Sequence, residues 1–299
     1  MSIPTGEERV VRSGRSGGGH FVFGAVFLAL VAAGVGRARA EGFHYPLKPA
    51  AAENGPVYVA DLRLPGIFVV KDGKLETYFA AAKKLGTPLC RVRTVAVDRN
   101  GKLLAGDTST REIYRFDEPG KPTPLIKGAE AGIGMPMSIA VDSKGNIFVA
   151  DLEVHWIWKV APTGGSPKKF AEVPAPRGMT IDGQDRLWVV SGTKNQLLRV
   201  TPDGKVEIVV AGTPFQYPND VALGPDGTAY VSDGYAKTIW KIAPGTKPQA
   251  WITGAPLVNP VGLAWHAGGL VIADPNPKAK QGQVYKADAA GKLSPLVAK

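Results

Sequence analysis

The side chains best suited to binding chemistry in this sequence are two arginines and an asparagine, Arg93, Arg177 and Asn219. Each begins a related segment, and these segments read RTVAVDRNG, RGMTIDGQD and NDVALGPDG. A guanidinium offers planar, paired donors that match a carboxylate or phosphate, and an amide can both donate and accept. If the three side chains face one axis, they predict a partly enclosed site for an anion. The alternative is that the arginines pair with Asp220 or nearby loop carboxylates and provide only local order.

A repeated unit must position these side chains, because related segments recur roughly every 41 to 46 residues. Each unit has four short apolar runs separated by Gly-bearing turns, which predicts a four-stranded antiparallel meander. Such a sheet is apolar on both faces and must stack against its neighbours around an axis. Six copies therefore predict an all-β, six-bladed β-propeller. A β-sandwich would not repeat its sequence, and the rungs of a β-helix are much shorter.

The second run of each unit ends in a polar residue, and this recurrence indicates a structural role. A side chain needed in nearly every blade usually closes a strand-end turn through backbone hydrogen bonds. The aromatic rings inside the strand runs are likewise expected to fill the space between blades. Residues 44–49 are expected to form the innermost strand of blade one, and residues 292–299 the last strand of blade six. The strand-end residues are Asp61, Asp107, Asp151, Ser191, Asp233 and Asp274.

Composition narrows the function classes. The chain has 299 residues with 37 Gly and 25 Pro, which argues against a helical bundle and favours a turn-rich β fold. The single cysteine, Cys90, excludes an intramolecular disulfide and a cysteine-based zinc or iron site. No G-x-S-x-G elbow occurs, so nucleophilic hydrolysis has no support.

The first forty residues predict an export signal. Three arginines precede an uncharged apolar run from Phe21 to Gly36, which is short for a membrane span. Ala38-x-Ala40 has the form that a signal peptidase accepts, so we expect cleavage after Ala40 and a propeller domain over residues 41–299. The alternative is an uncleaved N-terminal anchor. Either way we expect a periplasmic or secreted protein, and removing residues 1–40 lowers the formal charge from +10 to +7.

The repeat resembles that of a known propeller group. The pattern P-x-x-[Val/Ile]-A-V-D-x-x-G-x-[Ile/Leu]-[Phe/Tyr]-V-[Ala/Ser]-D, followed by I-x-[Lys/Arg], runs from Met135 to Lys159 and from Tyr217 to Lys241. It resembles the NHL repeat and the propeller family of senescence marker protein, gluconolactonase and strictosidine-synthase-like proteins. The resemblance covers residues 55–299. It is a strong indication of the fold but a weak indication of the chemistry, because most of the matching residues are turn and core positions.

The resemblance also implies places for a divalent metal such as Ca²⁺. In gluconolactonase-like enzymes oxygen ligands stand just before the innermost strands, together with a glutamate from the first blade. Asn219 matches the family's metal-binding asparagine, and Asp220 and Asn259 are possible supplements. Glu53 looks superficially like the first-blade glutamate but is interpreted as a coincidence. The equivalent places in blades two to six are Arg93, Met137, Arg177, Asn219 and Val261. Of these, the valine cannot ligate a cation, and a guanidinium repels one.

A virginiamycin B lyase-like activity is a second enzymatic expectation from proteins of the same shape. It would need a histidine and a glutamate facing the channel mouth, with a magnesium ion. His155 and His266 are the histidines of the later blades, and both are interpreted as turn residues more readily than as bases.

The sequence thus favours a binding platform. We expect an exported, monomeric propeller that binds a small acidic molecule or a protein or peptide partner at the channel mouth. Nucleic acid and a stable transmembrane span are not expected. The predicted ligand contacts are Arg93, Arg177, Asn219, Asp220 and Asn259. The alternative is a metal-dependent hydrolase or lyase of the gluconolactonase or virginiamycin B lyase type.

Overall fold

A computed structural model describes residues 42–52 and 54–298 of the chain. The predicted signal segment, residues 1–40, and Glu53 lie outside this part. The described residues form six antiparallel sheets of four strands each and one short helix, α1 (Gly128–Ala131). Each sheet keeps its strands in sequence order, so each is a simple meander. The prediction of a six-bladed β-propeller is confirmed.

The first three blades follow one another along the chain. Blade 1 contains β1 (Pro46–Ala51), β2 (Val57–Asp61), β3 (Gly66–Lys71) and β4 (Lys74–Ala80). Blade 2 contains β5 (Val92–Val97), β6 (Leu103–Asp107), β7 (Glu112–Glu118) and β8 (Lys121–Ile126). Blade 3 contains β9 (Pro136–Val141), β10 (Ile147–Asp151), β11 (Trp156–Val160) and β12 (Lys168–Glu172).

The last three blades have the same order. Blade 4 contains β13 (Pro176–Ile181), β14 (Leu187–Ser191), β15 (Leu197–Val200) and β16 (Val206–Val210). Blade 5 contains β17 (Pro218–Leu223), β18 (Ala229–Asp233), β19 (Thr238–Ile242) and β20 (Gln249–Thr253). Blade 6 contains β21 (Gly262–His266), β22 (Gly269–Asp274), β23 (Gln283–Ala287) and β24 (Leu293–Pro295).

The hydrophobic core lies between the blades. Six clusters of buried side chains each join two neighbouring blades, and the sixth joins blade 6 to blade 1. Val59 and Phe68 of blade 1, for example, pack with Val271 and Val284 of blade 6. A single blade could not bury both of its apolar faces, so the ring is the unit of stability.

The strand-end aspartates fix where each inner strand begins. Asp151, for example, accepts backbone N–H bonds from Gly134 and Met135, both at 2.8 Å, and from Glu153 at 3.1 Å. The carboxylate thus holds the loop before β9 and the turn after β10. Equivalent lead-in bonds are made by Asp61, Asp233 and Asp274.

Blade 4 has Ser191 at this position for a local reason. The loop before β13 is short and places Pro174 where the other blades present an N–H donor. Proline has no N–H group, so a carboxylate there would face a carbonyl instead. The Ser191 hydroxyl donates to the Pro174 carbonyl at 2.7 Å. In this blade the strand-end side chain is therefore the hydrogen-bond donor and the loop backbone is the acceptor.

Among the described residues, no blade combines strands from the two ends of the chain. The inner strand β1 pairs with β2 of its own blade, and β24 pairs with β23, as the sequence predicted. Side chains and loops close the seam between blades 6 and 1. Gly282 donates its N–H to the His44 carbonyl at 3.0 Å, and the Arg63 guanidinium donates to the Ala279 carbonyl at 2.5 Å.

The two ends of the propeller differ in which loops they carry. Because the strands alternate in direction, the loop before each inner strand and the turn between second and third strands lie at the same end. We call this end the mouth face and the opposite end the far face. Among the described residues, no helix is both long and apolar enough to cross a membrane.

Candidate functional site

A small cavity of about 40 Å³ lies on the axis where the inner strands begin. Most of these strands start with a shift in register, as between Pro218 and Asp220, so one extra residue stands outside the ladder. This residue faces the axis, and we call the resulting cavity the axial mouth. Its lining consists of Leu47, Lys48, Arg93, Met137, Ser138, Arg177, Gly178, Asn219, Asp220 and Val261.

Arg93 is a half-buried cation without a counter-ion. Within the described residues its guanidinium has neither a hydrogen bond nor an ion pair. Burial lowers the pKa of Arg93 from its ordinary value, and the nearby positive charge of Arg177 lowers it further. Tyr217 and Tyr45 act weakly in the opposite direction. The site therefore destabilises the charged form of Arg93, and an anion placed beside it would relieve that cost.

Arg177 is held by a ring instead of a carboxylate. Its guanidinium carbon lies 4.1 Å from the centre of the Tyr217 ring, a cation–π contact. One terminal nitrogen lies 3.5 Å from Asn219 Oδ1, which is at the limit of hydrogen bonding. The buried Nε lies against Gly192 and has no acceptor in the described part of the chain. Arg177 thus keeps donor capacity at the mouth.

Asn219 and Asn259 occupy different positions. Asn219 lines the mouth and donates from Nδ2 to the Tyr217 carbonyl at 3.1 Å. Asn259 lies outside the lining, where its backbone N–H donates to Asp274 at 2.6 Å. Both side-chain amides approach Gly234, which leaves them room because it has no side chain. Asn219 is therefore a wall of the mouth and Asn259 a neighbour on its rim.

Asp220 pairs with Lys48, a residue that the sequence reasoning missed. Lys48 Nζ lies 2.5 Å from Asp220 Oδ2, and the exposed fractions of the two side chains are 13% and 4%. The lysine also donates to the Leu263 carbonyl at 3.2 Å, and Asp220 Oδ2 accepts the Leu263 N–H at 2.8 Å. Burial raises the pKa of Asp220, and the ammonium of Lys48 opposes the shift.

This ion pair corrects the alternative in which the arginines were neutralised by Asp220. The carboxylate turns toward blades 1 and 6, and Lys48 already compensates its charge. Gly178 makes this arrangement possible, because a Cβ at that position would lie 2.1 Å from Asp220 Oδ1. The two arginines are left facing the axis.

The charges at the mouth do not fit a divalent cation. Three cationic side chains, Lys48, Arg93 and Arg177, accompany one carboxylate, Asp220. A hard cation needs several oxygen ligands, yet Asn219 Oδ1 faces a guanidinium. In the described residues no three His, Cys, Asp or Glu side chains come close enough to hold a metal. Glu53 lies outside these residues. The axial mouth therefore does not suit a metal-dependent reaction.

The two candidate histidines lie away from the axial mouth. His155 is exposed in the turn after β10 and has a positive φ of 61°. His266 ends β21 toward the far face, and its Nε2 lies 3.0 Å from the Gly55 carbonyl. Neither histidine lines the mouth, so the geometry offers no base of the lyase type at this site.

A second cavity continues the axis toward the far face. It measures about 270 Å³ and is walled by the later residues of the inner strands, such as Val95, Ile139 and Met179. Lys48 lines both cavities, so its ion pair with Asp220 separates the polar mouth from the wider channel.

Comparisons with known proteins support the fold. By sequence, the chain matches no protein-family model and no curated protein. Among solved structures it resembles a gluconolactonase from Xanthomonas campestris, with a TM-score of 0.67 and 16% identity over 78% of this chain and 84% of the other. A streptogramin B lyase gives 0.65 and 17% over 88% and 87%. A chain of a nidogen–laminin complex gives 0.63 and 18% over 85% and 93%. At these identities the likeness shows a shared propeller fold.

Proposed function

We propose that this protein is an exported propeller of the NHL and gluconolactonase-like group that binds the anionic group of a small acidic ligand at its axial mouth. The observation that carries the proposal is the pair of guanidiniums on the axis without a carboxylate partner. Arg93 has no partner in the described part of the chain, and Arg177 is held mainly by the Tyr217 ring. The single acid of the mouth, Asp220, is already neutralised by Lys48.

Electrostatics favours an anion at this position. The four charged groups of the mouth sum to about +2, and the walls around them are buried. Charges interact more strongly there than in water, because the effective dielectric constant is lower. A carboxylate or phosphate would also offset the burial and the Arg177 repulsion that together lower the pKa of Arg93. Anion binding would therefore lower the electrostatic free energy of the site.

The size of the mouth sets what part of a ligand enters. A cavity of about 40 Å³ holds one small group, such as a carboxylate, and not a whole sugar or peptide. The rest of the ligand must lie outside on the mouth face. Tyr235 is 69% exposed there and stacks on Tyr217, with ring centres 4.4 Å apart. A ring or apolar body attached to the anionic group is the natural complement of this surface.

The enzymatic alternative has support from its fold neighbours, which include a gluconolactonase and a streptogramin B lyase. The charge balance at the mouth argues against the divalent metal that such an activity implies for this fold. The predicted signal segment, residues 1–40, supports a periplasmic or secreted protein, and we propose that it acts as a monomer.

The proposal can be tested by thermal unfolding of residues 41–299 in a low-chloride buffer. Succinate, lactate and inorganic phosphate are titrated separately, because a ligand that binds only the folded state raises the midpoint. An anion at about one hundred times its Kd adds about 2.7 kcal/mol. For a domain of this size that corresponds to a rise of roughly 5–10 °C.

Two variants separate site binding from general charge effects. Arg177→Gln should abolish the rise. Arg91→Gln removes the same charge from an exposed position on the same face and should leave the rise intact. Ca²⁺, Mg²⁺, Mn²⁺ and Zn²⁺ are titrated in parallel with Asn219→Ala. A saturable rise with a metal, lost in Asn219→Ala, would restore the metal-dependent enzyme and contradict the proposal.

A further inference from the structure

The net positive charge of the propeller lies almost entirely in the loops of one end. The loops before the inner strands and the turns between second and third strands carry ten basic residues and two acidic ones, Glu130 and Glu153. All twelve are exposed. The far-face loops of the described residues carry seven basic and eight acidic residues. The mouth-face loops are therefore about +8 and the far-face loops about −1.

These basic side chains are largely free of internal ion pairs. Among the ion pairs of the described part of the chain, one uses a basic residue of the mouth-face loops, Arg111 with Glu153 at 3.3 Å. Arg63 donates to backbone carbonyls, so its charge is not neutralised. A field of one sign over one face raises the local concentration of anionic partners and speeds their association.

Exposed apolar side chains collect on the same face. Seven large hydrophobic residues are markedly exposed in the described part, and five of them belong to mouth-face loops. Leu85 and Tyr235 are the most exposed, at 70% and 69%. The other two lie on the outer strand β16. Exposed apolar side chains rimmed by polar or charged groups mark surfaces that bind proteins or membranes. The five are Leu85, Met135, Val154, Tyr235 and Val258.

We propose that the mouth face docks an acidic, partly apolar polypeptide segment of a partner protein. The charge of the loops selects the acidic residues, and Leu85 and Tyr235 offer contacts to apolar ones. A bilayer surface is flat and cannot enter the recess of the axial mouth, whereas an acidic side chain on a segment can. A DNA duplex offers phosphates but leaves the apolar side chains without a complement. The charged and apolar contacts of this surface come from loop residues outside the axial mouth, and only the choice of a segment over a bilayer rests on the proposed anion site.

The test measures binding of a fluorescent copolymer of glutamate and tyrosine by anisotropy at two salt concentrations. Polyglutamate of equal length, a random-sequence DNA duplex and phosphatidylglycerol vesicles are the competing probes. We expect the copolymer to bind more tightly than polyglutamate, and we expect added salt to weaken the binding of both polymers. Tighter binding of DNA or of the vesicles than of the copolymer would overturn it in favour of those partners.

Matched variants locate the surface. The charge reversals Lys83→Glu, Lys84→Glu, Lys278→Glu and Lys280→Glu on the mouth face should weaken copolymer binding at least about tenfold. The control reverses four exposed far-face lysines, so that the net charge changes equally. It should change binding by less than about threefold, and an equal loss in both variants would overturn the proposal. The control substitutions are Lys144→Glu, Lys205→Glu, Lys247→Glu and Lys292→Glu.

The apolar contribution has its own readout. Leu85→Ser with Tyr235→Ser should remove the preference for the copolymer over polyglutamate while leaving polyglutamate binding unchanged. A preserved preference would contradict the role given to these side chains. Arg177→Gln distinguishes the two proposals, because it abolishes small-anion binding at the axial mouth and leaves all ten basic loop residues in place.

Discussion

Replacing Lys48 by methionine tests how the axial ion pair holds the centre of the propeller. The substitution keeps an unbranched side chain of similar length and leaves Asp220 as a buried carboxylate without a counter-ion. Its exposed fraction is only 4%, so water cannot compensate the lost charge. Breaking a buried pair by removing one partner typically costs about 3–5 kcal/mol. For a domain of this size we expect the unfolding midpoint to fall by roughly 6–20 °C.

A double-mutant cycle separates the pair from the packing. Lys48→Met combined with Asp220→Asn leaves neither charge, and the Asn oxygen can still accept the Leu263 N–H. We therefore expect the double variant to recover most of the stability lost in Lys48→Met. Urea unfolding followed by tryptophan fluorescence gives the free energy of unfolding of each variant. Lys102→Met is the control, because its ion pair with Asp117 is exposed and worth less than about 1 kcal/mol.

The same variant has a defined pH dependence. Burial raises the pKa of Asp220 and Lys48 opposes the shift, so Lys48→Met should raise this pKa further. An acid whose folded-state pKa is raised loses its stabilising contribution as the pH rises through that pKa. The deficit of Lys48→Met should therefore be largest near pH 8 and shrink as the pH falls toward the ordinary aspartate range. A deficit below about 1 kcal/mol at pH 8, or no recovery in the double variant, would refute the reasoning.

Three further substitutions test local features of the site and the blades. Ser191→Asp should destabilise the fold more than Ser191→Ala in urea unfolding, because only the aspartate places a charge against a carbonyl; equal losses would contradict this. Gly178→Ala should cost more than about 2 kcal/mol, since its Cβ would lie 2.1 Å from Asp220 Oδ1, whereas Gly183→Ala meets no atom within 4 Å. Arg93→Met should leave the ligand-free midpoint unchanged or raise it, and thermal unfolding should also show that anions no longer stabilise this variant. A lower midpoint would indicate a structural role for Arg93.

The sequence predicted the blades because their determinants are local. An aspartate is the last residue of the second strand in five of the six blades, and the hydrogen bonds of Asp151 and Asp274 reach loops only 15 to 17 residues away. The serine at position 191 in blade 4 was visible in the sequence. The reason for this serine is Pro174 in the preceding loop, which can also be read from the sequence.

The charge balance of the axial mouth could not be predicted from local sequence, because it depends on a contact between distant segments of the chain. Lys48 and Asp220 are separated by 172 positions, so their pairing follows from closure of the ring. The recognisable repeat starts at residue 55, and the inner strand of blade 1, PLKPAA, lacks the motif of the other blades. Aligning Pro46-Leu47-Lys48 with Pro218-Asn219-Asp220 places Lys48 at the position of Asp220, in the lining of the axial mouth.

The charge difference between the two faces could be predicted only after every loop had been assigned to one face. The net charge can be counted from the sequence, but the count does not tell which face carries it. Which residues share a face depends on the alternating direction of the strands within each blade. Once the strand order is fixed, each loop can be assigned without any side-chain detail.

Crystal diffraction at the selenium edge from the selenate-soaked protein tests the central claim most directly. Selenate carries the charge and geometry of an oxyanion and can be located by its anomalous signal. We predict a selenium peak on the axis, with selenate oxygens within hydrogen-bonding distance of both Arg93 and Arg177, and loss of that peak in Arg177→Gln. A second crystal soaked in Mn²⁺ provides the opposite outcome. A manganese peak beside Asn219 and Asp220, with no selenate at the arginines, would contradict the anion site.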